Sequence, residues 1–390
     1  MRFQSYLNSA VTILRSYNGS VPFHLYVKKY FASNKKFGSR DRKQITSLCY
    51  NYFRLGNAVK NISTEERIVL ATFLCENRSC EFLKAIKPEW NDVIEKSLEQ
   101  KLAICNTQLA IEKLFSFKSE LSEGIDAEKF NVSFLIQPDL FLRVRPGKNK
   151  RVAGKLSGAG LQYKLINENC IALPNSSKIN EVLELDKEAV VQDLNSQRVG
   201  ELIQLSIANC QLPISIWDCC AASGGKSIMV YDINSEIELT VSDKRESILE
   251  NLKKRFATAG IKKYHSFIAD LSSHDWQKET KKFDLIICDA PCTGSGTWAR
   301  IPEQLYYFKK ESIKKYADLQ KKILENVVPH IKADGQLLYI TCSVFKKENE
   351  HVVAFIKEKF KLKLKGMKIL EGYERKSDTM FAALFTAPRS

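Results

Sequence analysis

The 390 residues predict an α/β protein: a doubly wound, mostly parallel sheet over the C-terminal half, preceded by a small α+β module and an N-terminal helical domain. Three observations carry this. From about Val190 onward, short apolar runs alternate with helical stripes, the texture of a parallel sheet covered on both faces. Four of those runs end in Asp, the residue type that gathers ligands at the carboxyl ends of such strands. Ahead of them the pattern is different twice over, helical to about Gly124 and β-rich between about Ile125 and Ala189. The chain is about two and a half times a typical domain of ~150 residues, so three segments are expected, 1–124, 125–189 and 190–390.

In the first segment Ala10, Leu14 and Tyr17 are apolar at close to turn spacing, Ile45, Leu48, Cys49 and Tyr52 continue it, and Glu65 to Cys75 and Leu102 to Phe115 repeat the theme. The first forty residues hold seven cations (Arg2, Arg15, Lys28, Lys29, Lys35, Lys36 and Arg40) and no Asp or Glu. That bias suits an organelle transit peptide or an RNA-contacting face; the unbroken helical spacing favours the start of a helical, RNA-binding domain.

The second segment reads as strands at Phe134 to Ile136, Leu140 to Val144, Tyr163 to Leu165 and Cys170 to Leu173, separated by Pro146-Gly147 and Gly158 to Gly160. Arg143 and Arg145 alternate with Leu142 and Val144, so both point to one face, beside Lys148, Lys150 and Arg151. A solvated edge and an RNA-contacting face are equally open.

In the third segment strands are expected at Ile214 to Asp218, Leu239 to Asp243, Ser266 to Asp270, Asp284 to Asp289 and Gln336 to Thr341, with a late one near Ala382 to Thr386 and a solvated edge strand within Lys357 to Lys368. Leu319, Ile323, Leu324 and Val327 mark the helix before the fifth strand, and Val352, Val353 and Ile356 the one after it. The first strand runs into Asp218-Cys-Cys-Ala-Ala-Ser-Gly-Gly-Lys226, small residues that let backbone approach a ligand at a helix start. With neither GxGxxG nor GxxxxGK[ST] present, a dinucleotide fingerprint and a phosphate loop are both unsupported. Asp243, eighteen residues past Gly225, can accept both hydroxyls of a ribose, and Asp270 an adenine amino group. A nucleoside cofactor without a phosphate site favours S-adenosyl-L-methionine over NAD or ATP.

The net charge of +15 favours a polyanionic partner. Eleven cysteines, at 49, 75, 80, 105, 170, 210, 219, 220, 288, 292 and 342, form no pair of CxxC motifs, so no metal site is expected; a reducing, cytoplasmic setting suits them. Apolar stretches such as Ile68 to Ala71 fall far short of the ~18 residues that span a bilayer. Most of these thiols read as small buried hydrophobes. Cys292 and Cys342 differ by position, since they follow the fourth and fifth strands, in Asp289-Ala-Pro-Cys292-Thr-Gly-Ser-Gly296 and Tyr339-Ile-Thr-Cys342-Ser343. Carbon 5 of cytosine is a poor nucleophile until a thiolate adds to carbon 6, after which it attacks a sulfonium methyl; a second thiol then assists release.

These residues resemble the Sun/RsmB family of S-adenosylmethionine-dependent RNA cytosine-5 methyltransferases. The likeness rests on Gln192-Asp-Leu-Asn-Ser-Gln197, Ala-Ala-Ser-Gly-Gly-Lys, Asp-Ala-Pro-Cys-Thr-Gly-Ser-Gly, Arg300-Ile-Pro302, Leu319-Gln320, Gly335 to Ser343 and Glu348-Asn-Glu350, and covers about 190 to 385. It implies a Rossmann-like class I methyltransferase domain behind a small RNA-recognition-like module and RNA-binding helices. It implies that Cys220, Ala221, Ala222, Ser223, Gly224, Gly225 and Lys226 hold the methionine part of the cofactor, Asp243 the ribose and Asp270 the adenine. It makes Cys342 the nucleophile, Cys292 the release residue, and Asp289 the contact to the base ring, at the edge of the cofactor site. Ser223 stands where the family usually has Pro and Ile340 where it often has Ser; a looser loop follows from the first. The expected substrate is RNA, small-subunit ribosomal RNA ahead of transfer RNA, with Trp298 and Tyr306 as stacking candidates, acting as a monomer without metal or membrane. The competing reading is a non-catalytic RNA-binding ribosome-assembly factor that keeps the fold.

Overall fold

The structure, a computed structural model, describes residues 2–59, 61–105, 109–208, 212–273 and 281–389. Cys210 lies outside the described residues. The chain packs as two compact units. The first joins Met1–Ser119 and Asp126–Gln137 with Thr297–Lys309, and the second joins Glu120–Ile125, Pro138–Gly296 and Lys310–Ser390.

The helical unit forms because its apolar positions recur at turn spacing. Helix Arg2–Ser16 buries Tyr6, Leu7, Ala10, Val11, Ile13 and Leu14, and Ser39–Arg54 buries Ile45, Leu48 and Cys49 against the same core. Ser63 and Glu66 cap helix Thr64–Cys75 reciprocally, each side chain accepting the other's N–H. The expected helix over Leu102 to Phe115 is instead a helix Leu98–Cys105 and a single 3-10 turn Ile111–Lys113. The reason is backbone pairing: the Ala110 N–H donates to the Ala58 carbonyl and the Asn57 N–H to that of Lys113, at 3.1 and 3.2 Å. Residues 297–309 belong to this core too. Tyr307 meets Tyr17 edge-on at 5.2 Å, and the buried Glu303 carboxylate accepts the Phe23 N–H at the start of helix Phe23–Ser33. Trp298 is fully buried among Phe115, Phe117 and Phe308, so it is a core residue and not a stacking surface; Tyr306 is 42% exposed.

Eleven strands lie in the second unit among the described residues. Four make a small sheet of order β2-β3-β1-β4: β1 Leu140–Val144, β2 Lys164–Asn167, β3 Cys170–Leu173 and β4 Ala189–Val191. The strand expected at Phe134 to Ile136 is absent: these residues are the turn after helix Ala127–Ser133, where Phe134 and Leu135 are buried and the carbonyls of Phe134 and Ile136 accept from Arg54. Arg143 and Arg145 do share a face of β1, but that face is closed. Arg143 is 7% exposed, and both guanidiniums clamp Asp232, at 2.5 and 2.7 Å. Asp232 belongs to helix Gly225–Ile233, so this cationic pair ties the module to the helix beyond the small-residue loop and does not face RNA.

The other seven strands form one sheet of order β10-β11-β9-β8-β5-β6-β7. They are β5 Ile214–Asp218, β6 Ile237–Asp243, β7 His265–Ile268, β8 Phe283–Asp289, β9 Ile331–Thr341, β10 Lys363–Leu370 and β11 Met380–Thr386. β5 through β9 pair in parallel and β10 and β11 antiparallel, the α/β class the alternation predicts. Strand order reverses between β5 and β8, which opens a crevice at their carboxyl ends. The third strand ends at Ile268, two residues early, so Asp270 lies past the strand end. The Lys-rich edge strand starts only at Lys363, because helix Glu350–Phe360 takes the residues before it.

Candidate active site

The small-residue loop after β5 is folded by its own backbone. Ala222 and Gly224 adopt the left-handed φ of 45° and 81°, and a Cβ on Gly224 would lie 2.7 Å from Phe256 and 2.9 Å from Leu252. Glycine is required there by conformation and by packing. Around Gly225, by contrast, a Cβ would meet nothing within 4 Å. The loop therefore presents an open, side-chain-free edge at the start of helix Gly225–Ile233, as a closely approaching ligand needs. Ser223 is held at both its carbonyl and its hydroxyl by Arg255, at 2.8 and 2.9 Å, and Arg255 also pairs with Asp186. This restraint offsets the loss of the rigidity that a proline ring would have given.

Asp243 ends β6 and faces the loop. Its Oδ2 accepts the Ala222 N–H at 3.1 Å and the Arg245 Nη2 at 3.2 Å, while Oδ1 accepts the Arg245 N–H and Nε, both at 3.0 Å. Burial raises this carboxyl, but the Arg245 bonds and charge outweigh it and hold it low. The Arg245 side chain is 54% exposed, so two of the four acceptor positions can be yielded to a ligand. Asp270 is exposed and accepts from Ser272.

At the centre, Lys226 donates to Asp289 at 2.6 Å. Burial pulls the Lys226 ammonium down, yet the opposing charge and hydrogen bond of Asp289 leave it raised, with Cys342 a further electrostatic contributor. Cys292 and Cys342, expected at neighbouring strand ends, meet with their sulfurs 3.3 Å apart. Their hydrogen bond, together with burial, pushes the Cys292 thiol well up. The two sulfurs thus share one hydrogen bond, in which either can be the donor. Gly296 makes this approach possible. Its N–H donates to the Cys342 carbonyl at 2.9 Å, and a Cβ there would sit 1.9 Å from the Thr379 carbonyl oxygen.

Several participants escaped the sequence reading. Asp218 is buried, accepts from Ser227 at 2.6 Å through Oδ2, and has an Oδ1 with no hydrogen-bond partner among the described residues. Its position as one of four strand-end Asp residues was the available signal. Glu348 and Gln320 stand in two of the motifs that carry the resemblance, but their residue types alone assign them no task. The sulfurs of Cys219, Cys220 and Cys288 all lie within 4.8 Å of one another, a cluster that linear spacing hides. Among the described residues no helix is long and apolar enough to cross a membrane.

Residues 202–385 match the family model of the 16S rRNA methyltransferases RsmB/F. The chain is 33% identical over 184 residues to ribosomal RNA small subunit methyltransferase B of Photorhabdus laumondii subsp. laumondii, covering 45% of this chain and 40% of that protein. It is 27% identical over 238 residues to the probable ribosomal RNA small subunit methyltransferase B of Bacillus subtilis, covering 60% and 52%. The matches thus span about half the length of these curated relatives. Among solved structures, the crystal structure of PH0851 superposes with a TM-score of 0.68 over 98% of both chains at 18% identity, a likeness of fold.

Proposed function

We propose, from the match of residues 202–385 to the RsmB/F methyltransferase family model, that the protein methylates carbon 5 of a cytosine in RNA, with S-adenosyl-L-methionine as donor and small-subunit ribosomal RNA as substrate. The observation that carries the reading is the pair of sulfurs 3.3 Å apart beside the Lys226–Asp289 pair. Cys342, which follows β9, is the nucleophile. The Lys226 ammonium and the Cys342 sulfur interact electrostatically. Addition to carbon 6 forms a C–S bond and moves the ring π electrons onto carbon 5, while the ring nitrogen takes up a proton from solvent that the Asp289 carboxylate holds by a hydrogen bond. Bound cofactor would supply the electrophilic sulfonium methyl that carbon 5 takes. The Cys220–Lys226 loop and its open edge at Gly225 would hold the methionine part, Asp243, now paired with the half-exposed Arg245 side chain, would hold the ribose, and Asp270 would hold the adenine.

Release follows from the same electrostatics. In the free enzyme the two sulfurs share a hydrogen bond; once Cys342 is a thioether with no proton to give and no charge, Cys292 loses that partner and can give its proton to solvent. The Cys292 thiolate then takes the proton from carbon 5, the ring double bond re-forms and the C–S electrons return to Cys342. Labelled-methyl transfer to RNA tests this. Cys342→Ala should transfer nothing, and Cys292→Ala should accumulate a covalent protein–RNA species on a denaturing gel. Transfer by Cys342→Ala would sink the nucleophile assignment, and full turnover by Cys292→Ala the release role. Both thiols in contact favour an active enzyme over a non-catalytic assembly factor.

A further inference from the structure

Glu348 is fully buried, follows β9 and precedes helix Glu350–Phe360, and is bonded by the two segments that carry the thiols. Its Oε1 accepts the hydroxyls of Thr293 and Ser343, each at 2.6 Å. Its Oε2 accepts the Thr293 N–H at 2.9 Å and the Gln320 amide at 3.1 Å. Thr293 immediately follows Cys292 and Ser343 immediately follows Cys342. Gln320 also donates to the carbonyl of Pro291, the residue before Cys292, at 3.0 Å. Four donors fill the four acceptor positions of one carboxylate, and each comes from a residue next to a thiol or from the helix that clamps the Cys292 loop.

Resting on the two-thiol reading above, we propose that Glu348 is a positioning residue that sets the separation of Cys292 from Cys342, and so governs release of methylated RNA more than its capture. A neutral amide does this less well. The Thr293 N–H and the Gln320 NH2 are fixed donors, so in Glu348→Gln the amide oxygen must face them and the NH2 must take the Oε1 position, where the hydroxyls of Thr293 and Ser343 have to rotate from donating to accepting. The charge that draws four donors from both thiol segments is lost, and the hold on the Cys292 loop loosens. Capture needs only Cys342 on its β-strand end; release needs both sulfurs within reach, and small misplacements cost large factors in rate.

The test uses the full chain with cytosine-containing RNA and labelled cofactor. In Glu348→Gln, multiple turnover should fall by about 10- to 100-fold, the KM for the cofactor should stay within about twofold, and the covalent species should accumulate as in Cys292→Ala. Glu348→Asp, which keeps the charge on a shorter arm, should recover part of the turnover. Thr293→Val removes one hydroxyl and leaves the carboxylate in place, so it covers the case of a misfolded Gln variant; it should shift the same balance toward the adduct by a smaller factor. Wild-type turnover in Glu348→Gln, or an equal fall in capture and release with no adduct, would overturn the proposal. Absence of any adduct in Cys292→Ala itself would instead overturn the cysteine chemistry on which it rests.

Discussion

Asp218 shows most directly how burial at a single residue becomes a measurable property. Burial moves its carboxyl from an ordinary 3.8 to about 7, with the Ser227 hydroxyl only partly opposing the rise. The folded state therefore holds this proton more tightly than the unfolded chain, so folding takes up a proton between these pH values and stability falls as pH rises through them. The full difference is on the order of 4 kcal/mol. Asp218→Asn keeps an acceptor for Ser227 and has no charge to bury. We expect its gain in unfolding free energy to be near zero at pH 4 and to grow through pH 7; a gain independent of pH in thermal melts would contradict the assignment. At Lys226 the prediction concerns rate: Lys226→Met removes the cation beside Asp289 and Cys342, and adduct formation in single-turnover experiments should slow by at least about tenfold, whereas unchanged adduct formation would show that the cation does not act on the thiol.

At the scale of elements, strand positions follow from alternating apolar runs, and β5 is read to the residue because every one of its side chains is buried. The ends of β7 and the start of the Lys-rich edge strand are not, since half-exposed sequence carries little periodicity. Phe134 to Ile136 misleads for the opposite reason: an apolar run of three is as good a buried turn as a strand. The candidate site is legible where it is local in sequence, as in the small-residue loop and the two cysteine motifs. It is illegible where it is made by contact, as with Glu348, Arg255 and the Cys219, Cys220, Cys288 cluster. Arg143 and Arg145 show the same limit, because a strand pattern gives their common face but not the Asp232 that covers it. That clamp yields an element-scale prediction. Asp232→Leu leaves the buried Arg143 and the partly buried Arg145 without their anion, and urea unfolding should show a loss of about 3–5 kcal/mol. A change below about 1 kcal/mol would show that the module is held by apolar packing alone.

For the whole molecule, the excess of positive charge is concentrated in the helical unit's first forty residues, where all seven cations are exposed. Arg2 and Arg15 are engaged with Asp41 and Glu65 on the surface, and such pairs yield readily to a polyanion. We predict that RNA affinity weakens steeply with salt, and that replacing Lys28, Lys29, Lys35 and Lys36 by Gln reduces the log–log slope by up to about 0.7 per contacted phosphate. An unchanged slope in anisotropy titrations would place the RNA contacts elsewhere. The central claim, that one named sulfur attacks cytosine in RNA, has a more direct test. Wild-type protein is incubated with cofactor and RNA carrying 5-azacytosine, which accepts the thiol and the methyl but has no carbon-5 proton to lose, and the cross-linked peptide is mapped by mass spectrometry. The two-thiol account predicts a single attachment at Cys342; attachment at Cys292, or none at either sulfur, would contradict it.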